Sequence, residues 1–194
     1  YLIKEYFANY FLHSSDVTID LKRNKTTIHQ HTVEPWRITL VDTGENSGTG
    51  GRLKRVAPYL DNETFCFTYG DGVSNVDIRR TIAFHHEQKA LATMTAVQPP
   101  GRFGSFRLAK GQVRIASFRE KPQGDNAWVN GGFFVLEPGA LDYIENDATF
   151  WEADPMERLA RDGQLVACQH DGFWQCMDHL KHKIDLDRMR TEGH

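Results

Sequence analysis

The chain has 194 residues, with 23 Lys and Arg against 26 Asp and Glu and a formal net charge of −3. This length is sufficient for one domain with a substantial core, and the nearly balanced charge argues against a nucleic-acid or membrane surface. No apolar run approaches the ~18 residues of a membrane span, and no signal peptide is visible. The three cysteines form no Cys-x-x-Cys pair, which predicts reduced thiols in a cytoplasmic protein.

The N-terminal part of the chain is predicted to form a helix followed by two paired strands. Apolar side chains recur at helical spacing over residues 2–12. Residues 17–21 alternate between apolar and polar, and residues 27–32 return as a partner strand after a turn. The chain begins without Met and already inside an amphipathic segment, which predicts a fragment of a longer protein.

A predicted buried strand at residues 38–41 leads into a glycine-rich loop at residues 42–52. Four glycines in this loop would allow backbone N–H groups to lie against a ligand. The loop is not a P-loop, because no Gly-Lys-Ser/Thr follows, and the last glycine of the dinucleotide-binding fingerprint is missing. A short helix is predicted after it, ending before Pro58.

The most informative stretch is a predicted buried strand, residues 65–69, that stops at Gly70-Asp71-Gly72. Glycines on either side of a carboxylate allow a sharp turn and the close approach of a ligand. Ligands of open parallel sheets bind beyond the carboxyl ends of the strands. Asp71 is therefore a candidate to hold Mg²⁺ against phosphate oxygens; the alternative is an Asp that caps the next helix.

The second half of the chain alternates strands with helices, which predicts an α/β fold with a mostly parallel sheet. A hairpin predicted over residues 102–118 leads to Glu120 and Lys121, a pair that would by itself be interpreted as solvated. The other predicted elements are helices at residues 77–89, 138–144, 151–162 and 179–190 and strands at residues 91–97, 133–136 and 165–168.

The C-terminal helix carries two spacings that would allow side chains to share a metal ion. Asp178 and His182 are four residues apart, and His179 and His182 are three apart. Exposure to solvent is the simpler interpretation of both histidines.

Six motifs occur in an order that resembles one family closely. The chain resembles the glucose-1-phosphate cytidylyltransferases, members of the sugar-phosphate nucleotidyltransferase superfamily, from residue 1 to about residue 187. In chain order the motifs are DTGxxSxTGGR, TYGDGV, PPGRFG, EKP, NGGFFV and GFWxxMD.

The resemblance implies a fold and a reaction. The fold would be a Rossmann-like, mostly parallel sheet flanked by helices, with an inserted β-hairpin, of the nucleotide-diphospho-sugar transferase type. Residues 1–194 would form one partial, N-terminally truncated nucleotidyltransferase domain that lacks the first βαβ unit. The reaction would convert CTP and α-D-glucose 1-phosphate to CDP-glucose and pyrophosphate, for nucleotide-sugar and O-antigen lipopolysaccharide biosynthesis. The enzyme would be a cytoplasmic homo-oligomer without nucleic-acid or membrane partners.

The resemblance also implies roles for particular residues. Asp71 and Asp178 would be the Mg²⁺ ligands and, with Lys121 near the sugar phosphate, the catalytic residues. Glu120 would accept hydrogen bonds from glucose hydroxyls. The other residues expected to bind substrate are Ser47, Thr49, Gly50, Arg52, Gly70, Asn130 and Gly131.

Two departures from the family pattern affect these expectations. The Gly-Gly-x-Gly-Thr-Arg signature, which cradles the triphosphate, does not occur among the 194 residues. The family's Pro-Met-Asp-Thr-x-Arg-Asp motif here begins Cys176-Met177-Asp178 and continues with His179 to His182. The chain alone is therefore expected to be impaired or inactive.

Two alternatives remain open at this point. The first is a non-catalytic relic or accessory subunit that keeps the sugar pocket but does not activate a nucleotide. The second is a metal-dependent glycosyltransferase, which is less favoured because no Asp-x-Asp motif stands at a strand end.

Overall fold

The computed structural model describes residues 2–31, 33–99, 105–107, 117–119 and 128–193. The chain divides into two compact units, residues 1–42 and residues 43–194. None of the helices in the described part of the chain has both the length and the apolar character needed to cross a bilayer.

The first unit contains helix α1 (Leu2–His13) and the antiparallel strands β1 (Ser15–Asp20) and β2 (Lys25–His31), as predicted. The Tyr10 hydroxyl donates a hydrogen bond to the Glu34 carboxylate over 2.8 Å. Helix α1 has no fully buried residue. Large apolar side chains are exposed in this unit, namely Leu2, Ile3, Tyr6, Phe11, Leu12, Ile19, Leu21, Ile28, Trp36 and Ile38.

The strand predicted at residues 38–41 is wrong, because these residues have no regular secondary structure. Apolar periodicity predicts burial, but a strand also needs a neighbouring strand to satisfy its backbone groups. No described residue forms a ladder with this segment.

The second unit alternates helices and strands along most of its length. Its helices are α2 (Thr49–Val56), α3 (Ile78–Gln88), α4 (Asp154–Arg161) and α5 (Leu180–Glu192), with 3₁₀ turns at Ala57–Tyr59 and Pro138–Tyr143. Its strands are β3 (Phe65–Thr68), β4 (Gly72–Ser74), β5 (Ala92–Val97), β6 (Ser105–Arg107), β7 (Ser117–Arg119), β8 (Val129–Leu136), β9 (Leu165–His170) and β10 (Trp174–Cys176).

The main sheet of this unit is mixed, with strand order β3-β8-β5-β9. Strand β8 is antiparallel to both β3 and β5, whereas β5 and β9 are parallel. Three strands therefore run in one direction and β8 runs against them. Parallel neighbours need a long crossover connection, usually a helix. Between β5 and β8 the described residues instead form the antiparallel pair β6-β7, which is compatible with the antiparallel pairing of β5 and β8. The α/β fold and the inserted hairpin are confirmed, and the reversal of β8 is a detail that the alternation did not predict.

The core lies between one face of this sheet and the segments around α2 and α4. Trp151 is completely buried, with ring centroids 5.9 Å from Phe134 and 6.3 Å from Phe67. Leu136, Ile144 and Leu159 belong to the same apolar cluster. Because this packing holds the chain just before α4 against strand β3, it also fixes the residue that follows Trp151.

Helix α3 begins as its sequence predicts, because the Asp77 carboxylate accepts a hydrogen bond from the backbone N–H of Arg80 over 3.0 Å. Near its end, His85 is 1% exposed. Its Nδ1 lies 2.8 Å from Thr93 Oγ1, and its Nε2 lies 3.1 Å from Glu137 Oε1. Both ring nitrogens of this buried histidine are therefore satisfied within the protein.

Strands β4 and β10 form a short antiparallel pair that sequence reasoning missed. Ser74 pairs with Trp174, and Gly72 pairs with Cys176. Strand β4 begins directly after Gly70 and Asp71. Its pairing with β10 therefore brings the C-terminal part of the chain close to the end of β3.

Candidate active site

The Gly-Asp-Gly turn lies between β3 and β4, at the carboxyl end of β3. The backbone N–H of Tyr69 donates to the carbonyl oxygen of Gly132, which ends the ladder with β8. A Cβ added to Gly70 would meet no atom within 4 Å. The backbone at Gly70 therefore faces open space that a ligand can enter.

Asp71 lies opposite the residue that precedes Asp178. The backbone N–H of Met177 donates a hydrogen bond to the carbonyl oxygen of Asp71 over 2.8 Å. This bond extends the β4-β10 pair by one residue beyond Gly72 and Cys176. The two aspartates, far apart in sequence, are thus carried to the same end of one strand pair.

An open cleft of about 700 Å³ adjoins this turn. One side is formed by the end of β3 and the other by helix α2. The residues that line it are Thr43, Thr49, Arg52, Leu53, Val56, Phe67, Thr68, Tyr69, Gly70, Asp71 and Glu152. Four predicted site residues, Thr49, Arg52, Gly70 and Asp71, are therefore together in one cleft.

Glu152 connects two walls of the cleft and was missed by sequence reasoning. Its carboxylate accepts a hydrogen bond of 2.6 Å from the hydroxyl of Thr49, 103 residues earlier in the chain. It also accepts a hydrogen bond from the Tyr69 hydroxyl. Burial, followed by this bond, raises the pKa of Tyr69 far above its usual value, so Tyr69 stays a neutral donor. The only signal in the sequence was a carboxylate directly after a buried Trp.

Arg52 supplies positive charge to the described part of the cleft. Its guanidinium donates to the Thr43 hydroxyl over 2.8 Å and to the carbonyl oxygen of Glu45 over 3.0 Å. These two bonds orient an exposed side chain whose five N–H groups suit phosphate oxygens.

Ser47 stabilises the loop before α2, and Gly50 allows α2 to pack closely. Ser47 does not line the cleft, and its hydroxyl donates to the carbonyl oxygen of Thr43. Gly50 is buried, and a Cβ there would lie 3.0 Å from the carbonyl oxygen of Thr149.

The N–H groups of Gly48 and Gly51 donate to the carbonyl oxygens of Asp147 and Thr149. The expectation that this glycine-rich stretch offers free N–H groups to a ligand is therefore wrong at these two positions, because the helix begins at Thr49 and packs against the 147–151 segment.

Asn130 and Gly131 stand at the entry of β8, beside the end of β3. The Asn130 side chain donates to the Tyr69 hydroxyl over 3.1 Å and accepts from the N–H of Gly132. The carbonyl oxygen of Gly131 accepts a 2.8 Å hydrogen bond from the indole N–H of Trp174. Both residues are thus next to the cleft, where they hold Tyr69 and strand β10 in place.

The predicted sugar-binding and phosphate-binding pair, Glu120 and Lys121, lies outside the described residues. Their assignment stays a prediction.

The C-terminal motif forms a cluster of three chemically different groups. Ligand-type atoms of Cys176, Asp178 and His182 all lie within 4.8 Å of one another, and the Cys176 sulfur is 4.0 Å from His182 Nδ1. Burial, together with a hydrogen bond to Asp178, raises the pKa of the Cys176 thiol. His179 is exposed, as predicted, whereas His182 is half-buried.

The donor chemistry of Asp71 and Asp178 fits the magnesium ion that the resemblance implies. Mg²⁺ takes oxygen ligands, commonly one or two carboxylates together with water and substrate phosphates. The backbone of Met177, the residue before Asp178, is hydrogen-bonded to the carbonyl oxygen of Asp71, and the neighbouring Gly70 leaves space for phosphate.

Comparison with known proteins agrees with this arrangement. Residues 8–176 match the family model described as nucleotidyl transferase. The chain is 57% identical over 194 residues to glucose-1-phosphate cytidylyltransferase of Salmonella typhimurium, covering all of this chain and 75% of that protein. It is 35% identical over 192 residues to a Bacillus subtilis protein named probable glucose-1-phosphate cytidylyltransferase, covering 98% of this chain and 74% of that one.

A solved structure shares the fold at low sequence identity. UDP-glucose pyrophosphorylase complexed with UDP-glucose superposes with a TM-score of 0.57 at 14% identity, over 79% of this chain and 66% of that one. The family match and the two relatives together show that the chain belongs to the nucleotidyl transferase family, among the glucose-1-phosphate cytidylyltransferases, and is an enzyme by that resemblance.

Proposed function

We propose that the enzyme forms CDP-glucose and pyrophosphate from CTP and α-D-glucose 1-phosphate. The observation that carries this proposal is the 57% identity to the Salmonella cytidylyltransferase over all 194 residues. The cleft beside Asp71 supports it, because open space at Gly70, the Arg52 cation and the Asp71 carboxylate suit a nucleoside triphosphate and its metal ion.

The chemistry is an in-line displacement at phosphorus. An anionic oxygen of glucose 1-phosphate forms a bond to the α-phosphorus of CTP, and the bond from that phosphorus to the oxygen bridging to the β-phosphorus breaks. The electron pair leaves with pyrophosphate, so no proton has to be removed from the nucleophile. Catalysis therefore depends on positioning and on neutralising charge.

The residues of the chain divide these tasks. Arg52, held by Thr43 and the Glu45 carbonyl group, places positive charge at the cleft wall. Asp71 and Asp178 would hold Mg²⁺, which when bound would neutralise charge on the phosphate oxygens. Lys121 would act as a point charge on the sugar phosphate, and Glu120 would accept hydrogen bonds from the glucose hydroxyls.

Tyr69, Asn130 and Gly131 would shape the hexose side of the site. The Asn130–Tyr69–Glu152 chain of hydrogen bonds fixes the tyrosine ring at the cleft. A fixed polar wall reduces the entropy lost when sugar hydroxyls bind. Ser47 supports this arrangement through its bond in the loop before α2, and Gly50 through the close packing of α2.

The setting of the reaction is part of the proposal. We place the enzyme in the cytoplasm as a homo-oligomer, in nucleotide-sugar biosynthesis for lipopolysaccharide O-antigen. Free thiols at Cys66, Cys168 and Cys176 are consistent with a reducing compartment.

Pyrophosphate release from CTP, glucose 1-phosphate and Mg²⁺ tests the proposal. The chain alone should release pyrophosphate slowly, and the same chain supplied with a segment carrying Gly-Gly-x-Gly-Thr-Arg should release it faster. In the supplemented protein, Asp71→Asn should lower kcat on the order of 100-fold, the scale of losing one charge-stabilising group. The exposed Asp142→Asn is the matched control and should leave kcat unchanged.

Two results would overturn the proposal. One is full activity after Asp71→Asn. The other is no pyrophosphate release by either form, together with calorimetric binding of glucose 1-phosphate but no Mg²⁺-dependent binding of CTP. That second result would identify an accessory sugar-phosphate-binding subunit.

A further inference from the structure

We propose that Cys176, Asp178 and His182 form a binding site for a zinc-class transition-metal ion. The site goes beyond the proposed reaction, which uses a hard cation. The proposal stands on the composition of the cluster, on its distances and on the elements that carry it.

The donor set favours a transition metal over magnesium. A thiolate and an imidazole are ligands typical of Zn²⁺ and its neighbours, whereas Mg²⁺ takes oxygen ligands. Cys176, His182 and Asp178 supply sulfur, nitrogen and oxygen donors, respectively. Three protein ligands and one water would complete a tetrahedron.

The distances are close to those of a coordinated ion. Zn–S and Zn–N bonds of about 2.3 and 2.0 Å at a tetrahedral angle separate sulfur from nitrogen by about 3.5 Å. The Cys176 sulfur and His182 Nδ1 are 4.0 Å apart, and all three donors fall within 4.8 Å of one another. Closing the site therefore requires the sulfur–nitrogen distance to shorten by about 0.5 Å and the other donor–donor distances by at most about 1.5 Å.

Three neighbouring elements hold the donors. Cys176 is the last residue of β10, Asp178 lies in the connection that follows, and His182 lies in the first turn of α5. The backbone N–H of His182 donates to the carbonyl oxygen of His179 over 2.9 Å, which fixes the helical turn that presents the imidazole. Cys176 and His182 are half-buried and Asp178 is exposed, so an ion can enter from solvent.

The site would share Asp178 with the magnesium site of the proposed function. Binding of a zinc-class ion would release the thiol proton to solvent and hold the Asp178 carboxylate toward Cys176 and His182. Mg²⁺-dependent activity should then fall as Zn²⁺ is added and recover at higher Mg²⁺ concentration. This consequence rests on the proposed function, whereas metal binding itself does not.

Titration of the reduced chain with Co²⁺ tests the binding site without reference to activity. A sulfur-to-cobalt charge-transfer band in the near ultraviolet should appear at one equivalent, and Zn²⁺ should displace it. Cys176→Ser should abolish the band, and His182→Asn should weaken Co²⁺ binding by about tenfold or more. The exposed Cys66→Ser and His86→Asn are matched controls that should retain it.

Absence of the band, or its loss in Cys66→Ser rather than in Cys176→Ser, would overturn the site. Inhibition is read separately, with Zn²⁺ added to the Mg²⁺-dependent pyrophosphate assay. If the band forms but Zn²⁺ does not inhibit pyrophosphate release, the metal site is supported and the shared use of Asp178 is refuted. If the band forms in a protein that releases no pyrophosphate, the metal site is supported and the proposed function is refuted.

Discussion

The backbone N–H of Met177 is hydrogen-bonded to the carbonyl oxygen of Asp71 over 2.8 Å. Through this bond, the residue before Asp178 is held against the turn at the end of β3. The contact depends on β4 and β10, two strands of three residues each. The position of Asp178, the second proposed metal ligand, therefore depends on two of the shortest strands among the described residues.

Trp174→Phe tests whether the hydrogen bond between Trp174 and Gly131, which anchors β10, is needed for stability and activity. The substitution removes the indole N–H that donates to the carbonyl oxygen of Gly131 and leaves that buried oxygen without its donor. We expect unfolding free energy to fall by about 1–2 kcal/mol and kcat to fall as Asp178 loses its position. Urea denaturation and the pyrophosphate assay measure the two effects. Trp128→Phe is the control, and an equal loss of kcat in both variants would contradict the argument.

Gly51→Ala and Gly70→Ala should separate packing from ligand access. A Cβ at Gly51 would overlap the carbonyl oxygen of Asp147, whereas a Cβ at Gly70 would meet nothing within 4 Å. We expect Gly51→Ala to lower unfolding free energy by about 1–3 kcal/mol. Gly70→Ala should leave stability unchanged and raise the KM for CTP, because the methyl group would occupy the space left for the nucleotide. Equal stabilities, or an unchanged KM in Gly70→Ala, would contradict this interpretation.

Glu152→Gln should change both the pKa of Tyr69 and substrate binding. The Glu152 carboxylate contributes to the raised pKa of Tyr69, so removing its charge should bring that pKa closer to the usual value. Ultraviolet titration of tyrosinate, with Tyr69→Phe to identify the signal, measures the shift. We also expect a larger effect on KM than on kcat, because Glu152 positions the cleft wall. Glu145→Gln is an exposed control, and an unshifted Tyr69 titration would contradict the assigned hydrogen bond.

Thr64→Val should alter the pH dependence of stability. The Thr64 hydroxyl donates to Glu137 Oε1 over 2.7 Å and is the largest cause of the lowered pKa of Glu137. Since this pKa is lower in the folded state, ionised Glu137 stabilises the protein above its ordinary pKa of 4.5, and the contribution is lost as pH falls through the folded-state value.

Thermal unfolding should therefore show a lower Tm for Thr64→Val at pH 7, and a difference from the parent chain that shrinks as the pH falls below 4.5 and Glu137 becomes protonated. The exposed Thr27→Val is the matched control. A Tm difference that stays constant over this range would show that the bond does not act through the ionised carboxylate.

The sequence was sufficient for most elements with clear periodicity or capping. Asp77 at the start of α3 and the alternating pattern of β1 predicted those elements correctly. The same reasoning failed at residues 38–41, because apolar character indicates burial but does not identify a pairing partner. It also missed β4 and β10, since three-residue strands are too short to show a period.

Residues of the candidate site could be predicted from sequence only where they belong to a recognisable motif. Asp71 stands out between two glycines at a strand end, and Asp178 was identified by resemblance. Glu152 has no such signal, because its role arises from a contact with Thr49 that is 103 residues distant. The glycines near Thr49 suggest a ligand-binding loop from sequence, yet in the structure their lack of side chains allows close packing of a helix. Residue type alone did not distinguish these two uses.

The reversed direction of β8 has a consequence for how this enzyme can diversify. Val97 at the end of β5 pairs directly with Val129 at the start of β8, so residues 98–128 depart from and rejoin the sheet at adjacent points on the ligand-facing edge. Because the two ends of this segment meet, a change in its length would leave the pairing of β5 with β8 in register.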